Sequence, residues 1–284
     1  MPGLCLELRM KAAVIQMVSG DRLDRNLVEA EDLLAQAAQA GAELALLPEN
    51  FALMGQGETD KLAIMETPRG EGPIQSWLSA QAREKGLWLF GGSLPLAAEA
   101  GRCHASLLVH DPSGQCICRY DKIHLFDVDL PGGESYRESR TIQPGTKPVR
   151  APTPWGDAGL SICYDLRFPE LYRQYGGVSF LMVPSAFTAQ TGQAHWEVLL
   201  RARAVENQAF VLGANQGGLH ANGRWTYGRS MIVDPWGNIL AQLGQGPGWI
   251  LAECDLGQMH QLRSSLPALQ HRVLDVGRPP HQEM

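Results

Sequence analysis

A chain of 284 residues, 44% hydrophobic and 19% charged, is long enough to bury a large core and has the balance of an ordinary globular protein. Its net charge of −6, with 24 Lys and Arg against 30 Asp and Glu and no basic run, argues against a nucleic-acid partner. No apolar stretch reaches the roughly 18 residues of a membrane span, and the N-terminus lacks the basic start and long apolar run of a secretory signal.

Residues 1–9 read as a leader outside the fold, because Met10 to Met17 already forms a complete opening strand; residues 10–284 then read as one domain. Asp24 is placed to cap a helix with apolar positions Leu27, Leu33, Leu34 and Ala37, ended by Gly41. Glu43 to Glu49 is a buried strand ending at Pro48-Glu49-Asn50. A helix over Ile74 to Lys85 closes at Gly86 before the strand Leu87 to Phe90. Strand, helix, strand, helix, strand predicts a mostly parallel α/β sheet.

Ala105 to His110 and Gln115 to Tyr120 flank the turn signal Asp111-Pro-Ser-Gly114, a hairpin. A long Gly- and Pro-punctuated loop over about 126–148 has the length at which loops tend to carry function. Beyond it come the strand Val178 to Val183, a loop through Ser185-Ala-Phe187, a helix from about His195 to Gln208 and the strand Ala209 to Ala214. Hairpins are expected around Asp234-Pro-Trp-Gly237 and Gly244 to Gly248. After Leu256 there is one short helix and the Pro-rich end Arg278-Pro-Pro280. The two strand-and-helix halves allow two sheets packed face to face with helices outside.

Six cysteines, at positions 5, 103, 116, 118, 163 and 254, form no disulfide-scaffold pattern and no CxxC pair, which points to free thiols in a reducing cytoplasm. Cys116 and Cys118 have no His or second Cys pair at zinc spacing, so no metal site is expected. Cys163 stands apart. It follows the apolar run Leu160 to Ile162 and precedes Pro169-Glu-Leu-Tyr172, the first turn of a helix. A strand-to-helix turn projects its side chain out of the sheet edge toward a helix N-terminus, which favours thiolate over thiol. A small buried cysteine is the competing reading.

Glu49, Lys122 and Cys163 each follow a predicted strand, and α/β sheets bind ligands beyond the carboxyl ends of their strands. Spacing alone leaves Glu49 and Lys122 equally readable as surface charges. A Cys-His protease arrangement through His124 or His195 is set aside, because the Cys-Gly-Ser-Cys-Trp context is missing.

Three stretches, Leu46-Leu-Pro-Glu-Asn50, Tyr120-Asp-Lys-Ile-His-Leu-Phe-Asp127 and Gly159-Leu-Ser-Ile-Cys-Tyr-Asp-Leu-Arg-Phe-Pro-Glu170, resemble the Glu, Lys and Cys motifs of the nitrilase superfamily of carbon–nitrogen hydrolases. The resemblance runs from about Lys11 to Arg272. It implies an αββα sandwich of two mixed sheets packed face to face with helices outside, and a Glu-Lys-Cys triad without cofactor or metal. Glu49 would be the general base that later returns its proton to departing ammonia, and Cys163 the nucleophile that forms a thioester. Lys122 and the backbone N–H of Tyr164 would stabilise the oxyanion. Glu138 matches the family's additional active-site glutamate, ahead of Glu134. Arg167, when not paired with Asp165 or Glu170, would hold a substrate carboxylate; Ser185 and Phe187 would complete the substrate contacts, with Met182 and Trp196 in the core or pocket wall.

The wording of Val183 to Asn207 resembles the Nit branch and is closest to deaminated glutathione amidases, with omega-amidases acting on 2-oxoglutaramate next and nitrile hydrolysis after them. Gly132 to Tyr136 would line the pocket entrance and set substrate choice. The resemblance also implies a homodimer or larger assembly, with helices near Cys163 and the C-terminal tail at the interface. A binding protein on a retired hydrolase fold is the alternative of another class.

Overall fold

A computed structural model describes residues 8–274 except 71, 131 and 132. The leader up to residue 7, Gly132 of the expected pocket entrance and Arg278-Pro-Pro280 therefore lie outside the described residues.

The opening strand Arg9–Gln16 shows how the layers arise from alternation. Met10, Ala12 and Val14 enter one core cluster, whereas Ala13, Ile15 and Met17 enter another with Leu33, Leu34 and Ala37 of the helix Leu23–Gln39. The first of these clusters joins two sheets, since it also takes in Leu160, Met182, Leu212 and Met231. One sheet has the order Gly248–Asp255, Arg9–Gln16, Leu44–Leu46, Trp88–Phe90, Cys103–His110 and Leu94–Ala97, with Cys116–Asp121 also paired to Cys103–His110. The other runs Ile239–Gln242, Met231–Val233, Phe210–Asn215, Phe180–Ser185, Ala158–Leu160 and Arg150–Ala151. Each is parallel at its centre and antiparallel at its edges. The helices Leu23–Gln39 and Pro73–Lys85 cover the first sheet, and Ala189–Asn207 packs on the second. This is the αββα sandwich.

Several expectations are corrected. Residues 8 and 9 belong to the fold: Arg9 pairs with Asp255 in the ladder, and the Leu8 carbonyl accepts the Leu256 N–H at 2.7 Å. Asp24 lies inside the first turn of its helix, ion-paired to the N-cap residue Arg22 at 2.8 Å, so it complements the helix dipole and is not itself the N-cap. The helix expected from His195 begins at Ala189, where the Thr188 side chain caps it by accepting the Thr191 N–H at 3.2 Å. Gly192 hid that start, but it is needed there, since a Cβ would meet Tyr227 at 2.3 Å. Gly244 to Gly248 makes no hairpin. The strand before it is the edge of one sheet and the strand after it is the edge of the other, so the chain crosses the sandwich at this point. The long loop over 126–148 contains a small antiparallel pair, Asp127–Asp129 with Ser135–Arg137, clasped by Arg137 on Asp129 at 2.7 Å. Met182 and Trp196 are fully buried core residues.

Candidate active site

The three predicted residues converge. Lys122, 2% exposed, sits just past the strand Cys116–Asp121, its backbone held by Ala105 and Gly145. Its Nζ donates to Glu49 Oε1 at 2.8 Å and to Glu138 Oε1 at 2.9 Å. The second oxygen of Glu138 accepts the Phe126 N–H at 2.7 Å, so the long loop supplies a carboxylate locked at both ends. Glu49 is also the hydrogen-bond partner of the Cys163 thiol, which faces the Ala186 N–H as well. Glu49, Lys122, Glu138 and Cys163 together line a cavity of about 270 Å³. Glu134 is exposed and turns instead to the Tyr136 hydroxyl.

Electrostatics inside this cluster follow from burial against charge. Burial alone pulls the Lys122 ammonium toward neutrality, yet Glu138, Glu49 and Cys163 outweigh it and hold the group well above its ordinary value. Burial likewise opposes ionisation of Glu138, and Lys122 overcomes that with help from Lys61 and the Phe126 N–H, so the carboxyl titrates lower than usual. The thiol goes the other way. Burial, then the negative Glu49, push Cys163 up despite Lys122 and the Ala186 N–H. The expected resting thiolate is thus corrected to a resting thiol, because burial of the sulfur with a carboxylate beside it disfavours the anion.

A direct check is available. Alkylation of Cys163 by iodoacetamide, followed site by site by peptide mass spectrometry, should accelerate from pH 7 to pH 9.5 without levelling, because the thiolate fraction rises about tenfold per pH unit below the thiol's pKa. A plateau already reached near neutral pH would show that the anion is the resting form.

The backbone presents Cys163 under strain. Cys163 has φ +50° and opens a 3₁₀ turn over Cys163–Arg167, a conformation that costs a non-glycine residue on the order of 1 kcal/mol. Asp165 holds that turn. Fully buried, it accepts from the Ile162 N–H at 2.9 Å, the Tyr120 hydroxyl at 2.7 Å, the His124 N–H at 3.0 Å and His124 Nδ1 at 2.7 Å. The Lys and Cys motifs therefore meet through this carboxylate, a positioning role with no signature of its own in the sequence. The only available signal was its place two residues beyond Cys163. His124 is thereby committed to Asp165, and it stacks on Phe168 at 3.7 Å.

Of the predicted substrate contacts, Tyr164, Arg167 and Phe187 line the cavity. Arg167 makes neither expected ion pair, since Asp165 is saturated elsewhere; its Nη1 lies 3.1 Å from His195 Nδ1 and its guanidinium 5.3 Å above the Phe187 ring. Ser185 is a correction. As the last residue of Phe180–Ser185 it is fully buried, its Oγ 3.4 Å from the Val183 carbonyl, and it is absent from the cavity wall. The next two residues, Ala186 and Phe187, reach the cavity instead. Tyr136, at the end of the stretch expected at the pocket entrance, lines it; so do Lys61 and Arg224, to which no sequence pattern pointed.

Comparison with known proteins supplies the family. A carbon–nitrogen hydrolase family model matches residues 11–264. A deaminated glutathione amidase of Synechocystis sp. is 45% identical over 268 residues, 92% of this chain and 97% of the relative. The crystal structure of the Caenorhabditis elegans NitFhit protein superposes with a TM-score of 0.85 at 37% identity, covering 93% of this chain and 65% of that one. An amidase from Nesterenkonia sp. AN1, solved with acrylamide added to its active-site cysteine, superposes with a TM-score of 0.75 at 27% identity over 91% of this chain and 98% of that one. No helix among the described residues is long and apolar enough to cross a membrane. With the fold, the motif order and these relatives in agreement, the chain belongs to the carbon–nitrogen hydrolase family and is an amidohydrolase of the nitrilase superfamily.

Proposed function

We propose that the cavity hydrolyses the amide of a 2-oxo acid that carries a carboxylate, with deaminated glutathione as its substrate. The observation that carries this is a buried Lys122 clamped between Glu49 and Glu138 beside the Cys163 thiol, under a mouth where Arg167 has no ion pair among the described residues. Because the thiol rests protonated, Glu49 takes its proton as sulfur attacks the carbonyl carbon. Lys122 Nζ and the Tyr164 N–H, one of the unsatisfied donors at the start of the 3₁₀ turn, receive the oxyanion. Glu49 then protonates the leaving nitrogen, and water, positioned by Glu138, cleaves the thioester. Arg167 holds the acid end bidentately, and Phe187 supports the guanidinium from below.

The leaving group depends on the amide. Ammonia departs only from a primary amide such as 2-oxoglutaramate, whereas the γ-linked amide of deaminated glutathione releases cysteinylglycine. The substrate test therefore reads both products. Parallel assays with deaminated glutathione and 2-oxoglutaramate should give a kcat/KM at least about tenfold higher for the former, a difference of about 1.4 kcal/mol in transition-state binding. The reverse order would make the enzyme an omega-amidase, and no turnover of either would favour a binding protein. The described cysteines, all free, fit a reducing cytoplasm, and the exposed Val198 and Val205 on Ala189–Asn207 suit a homodimer contact.

A further inference from the structure

The wall of the cavity carries two guanidiniums. Lys122 lies between Glu49 and Glu138, Lys61 also acts on Glu138, and Arg167 and Arg224 are left with Glu58 as the remaining lining carboxylate. Arg224 has no counter-charge of its own among the described residues. Its Nη2 donates to the Ala186 carbonyl at 2.6 Å, while its Nε is shut off from solvent and has no acceptor. No carboxylate among the described residues pairs with it. Only that one nitrogen, Nε, is shut away without a partner: the residue is half-buried on the cavity wall, and a guanidinium there without a counter-charge suits a planar, bidentate anion.

Its position is set by the backbone. The Arg224 N–H donates to Asn222 Oδ1 at 2.9 Å, its carbonyl accepts the His220 N–H at 2.9 Å, and Asn222 Nδ2 ties this turn to the Gly55 carbonyl at 2.7 Å. The Ala186 peptide then links it to the chemistry, since the N–H of that residue faces Cys163 and its carbonyl holds Arg224. Arg224 and the sulfur thus share Ala186 as a neighbour and line the same cavity.

An aromatic arc separates the two arginines. Arg167 lies 5.8 Å from the Tyr164 ring, Tyr164 and Phe126 are 5.1 Å apart, Phe126 and Tyr136 are 5.1 Å apart, and Arg224 lies 5.1 Å from Tyr136. On the other side Ala186 and Phe187 close the ring. The cavity mouth is a collar with two guanidiniums at different points, and it suits a ligand with a carboxylate on each side of the scissile bond.

We propose that Arg224 is a specificity residue that binds the C-terminal carboxylate of a dipeptide leaving group, while Arg167 holds the 2-oxo acid end. This rests on the proposed peptide-amide substrate. A dipeptide reaches about 7 Å from its nitrogen when fully extended, enough to carry its carboxylate away from the reacting carbonyl toward the cavity wall where Arg224 lies. A primary amide has nothing to place there.

The test pairs a change in the enzyme with a change in the substrate. Deaminated glutathione and its C-terminal carboxamide are assayed with the parent, Arg224→Gln and Arg224→Lys. Arg224→Gln should lower kcat/KM on the acid about 10- to 100-fold, mainly through KM, as should the carboxamide with the parent; both changes together should cost little more than either alone. Arg224→Lys should recover part of the loss. The loss on 2-oxoglutaramate should be at least about tenfold smaller than the loss on deaminated glutathione. Equal losses on both substrates would assign Arg224 to the acid end or to support of the Ala186 loop, and overturn the proposal. Were the variants not to fold, equal parental rates on acid and carboxamide would overturn it by themselves. Parental turnover of 2-oxoglutaramate but not of deaminated glutathione would remove the substrate reading and the clamp together, whereas turnover of deaminated glutathione without coupling would remove only the clamp.

Discussion

The Cys163→Ala enzyme is expected to hydrolyse its amide substrates at least about 10⁴-fold more slowly than the parent, the scale of loss seen when a covalent nucleophile is removed. Glu49 and Lys122 would remain, yet without sulfur there is no acyl intermediate to split one difficult step into two. Acid quenching of the parent during turnover, followed by intact-mass measurement, should reveal a fraction carrying the acyl group, and the variant none. The fold should tolerate the change. Removing one sulfur from a site that is 8% exposed costs about 1 kcal/mol by analogy with other small core deletions, so denaturation midpoints should move little. Parental rates in this variant would refute the mechanism.

Lys122→Met should damage both catalysis and stability. The ammonium is expected to contribute about 3 kcal/mol as an oxyanion donor, so kcat should fall by about 10²- to 10³-fold. It also separates two carboxylates, Glu49 and Glu138, that are both shielded from water. Its removal leaves buried negative charge unpaired, with a stability loss on the order of 3–5 kcal/mol at neutral pH. The pH dependence carries a sign. In the parent, Glu138 titrates below its ordinary value of 4.5, so its contribution is present above that value and is lost as pH falls through the folded pKa. Lys122, raised above 10.5, keeps its contribution throughout the acid and neutral range. In the variant the orphaned carboxyl is raised, so its burden grows as pH rises. The stability gap between the two proteins, measured by urea denaturation, should therefore widen from pH 4 to pH 7. A gap independent of pH would show that the cluster is held by packing and not by charge.

Much of this protein was determined locally. Alternation in Met10 to Met17, the helical spacing of Leu33, Leu34 and Ala37, and Gly86 in the left-handed conformation at a helix end each act within a few residues, and each was readable there. The three motifs placed Glu49, Lys122 and Cys163 at strand ends, because a side chain that must reach a cleft is set where a strand stops. What only the tertiary structure decided depends on segments distant in sequence. Ser185 faces the interior because its neighbours in the second sheet set the register, and the crossing at Gly244 to Gly248 depends on which sheet had an open edge. The charge state of Cys163 reversed the local expectation, since a helix start and an ammonium are outweighed by burial and by a carboxylate brought from 114 residues away, from Glu49 to Cys163. Arg224 and Asp165 carry no pattern of their own. Their placement comes from hydrogen-bond partners supplied by other strands and loops, and those interactions depend on distance in space, which the order of residues along a chain does not encode.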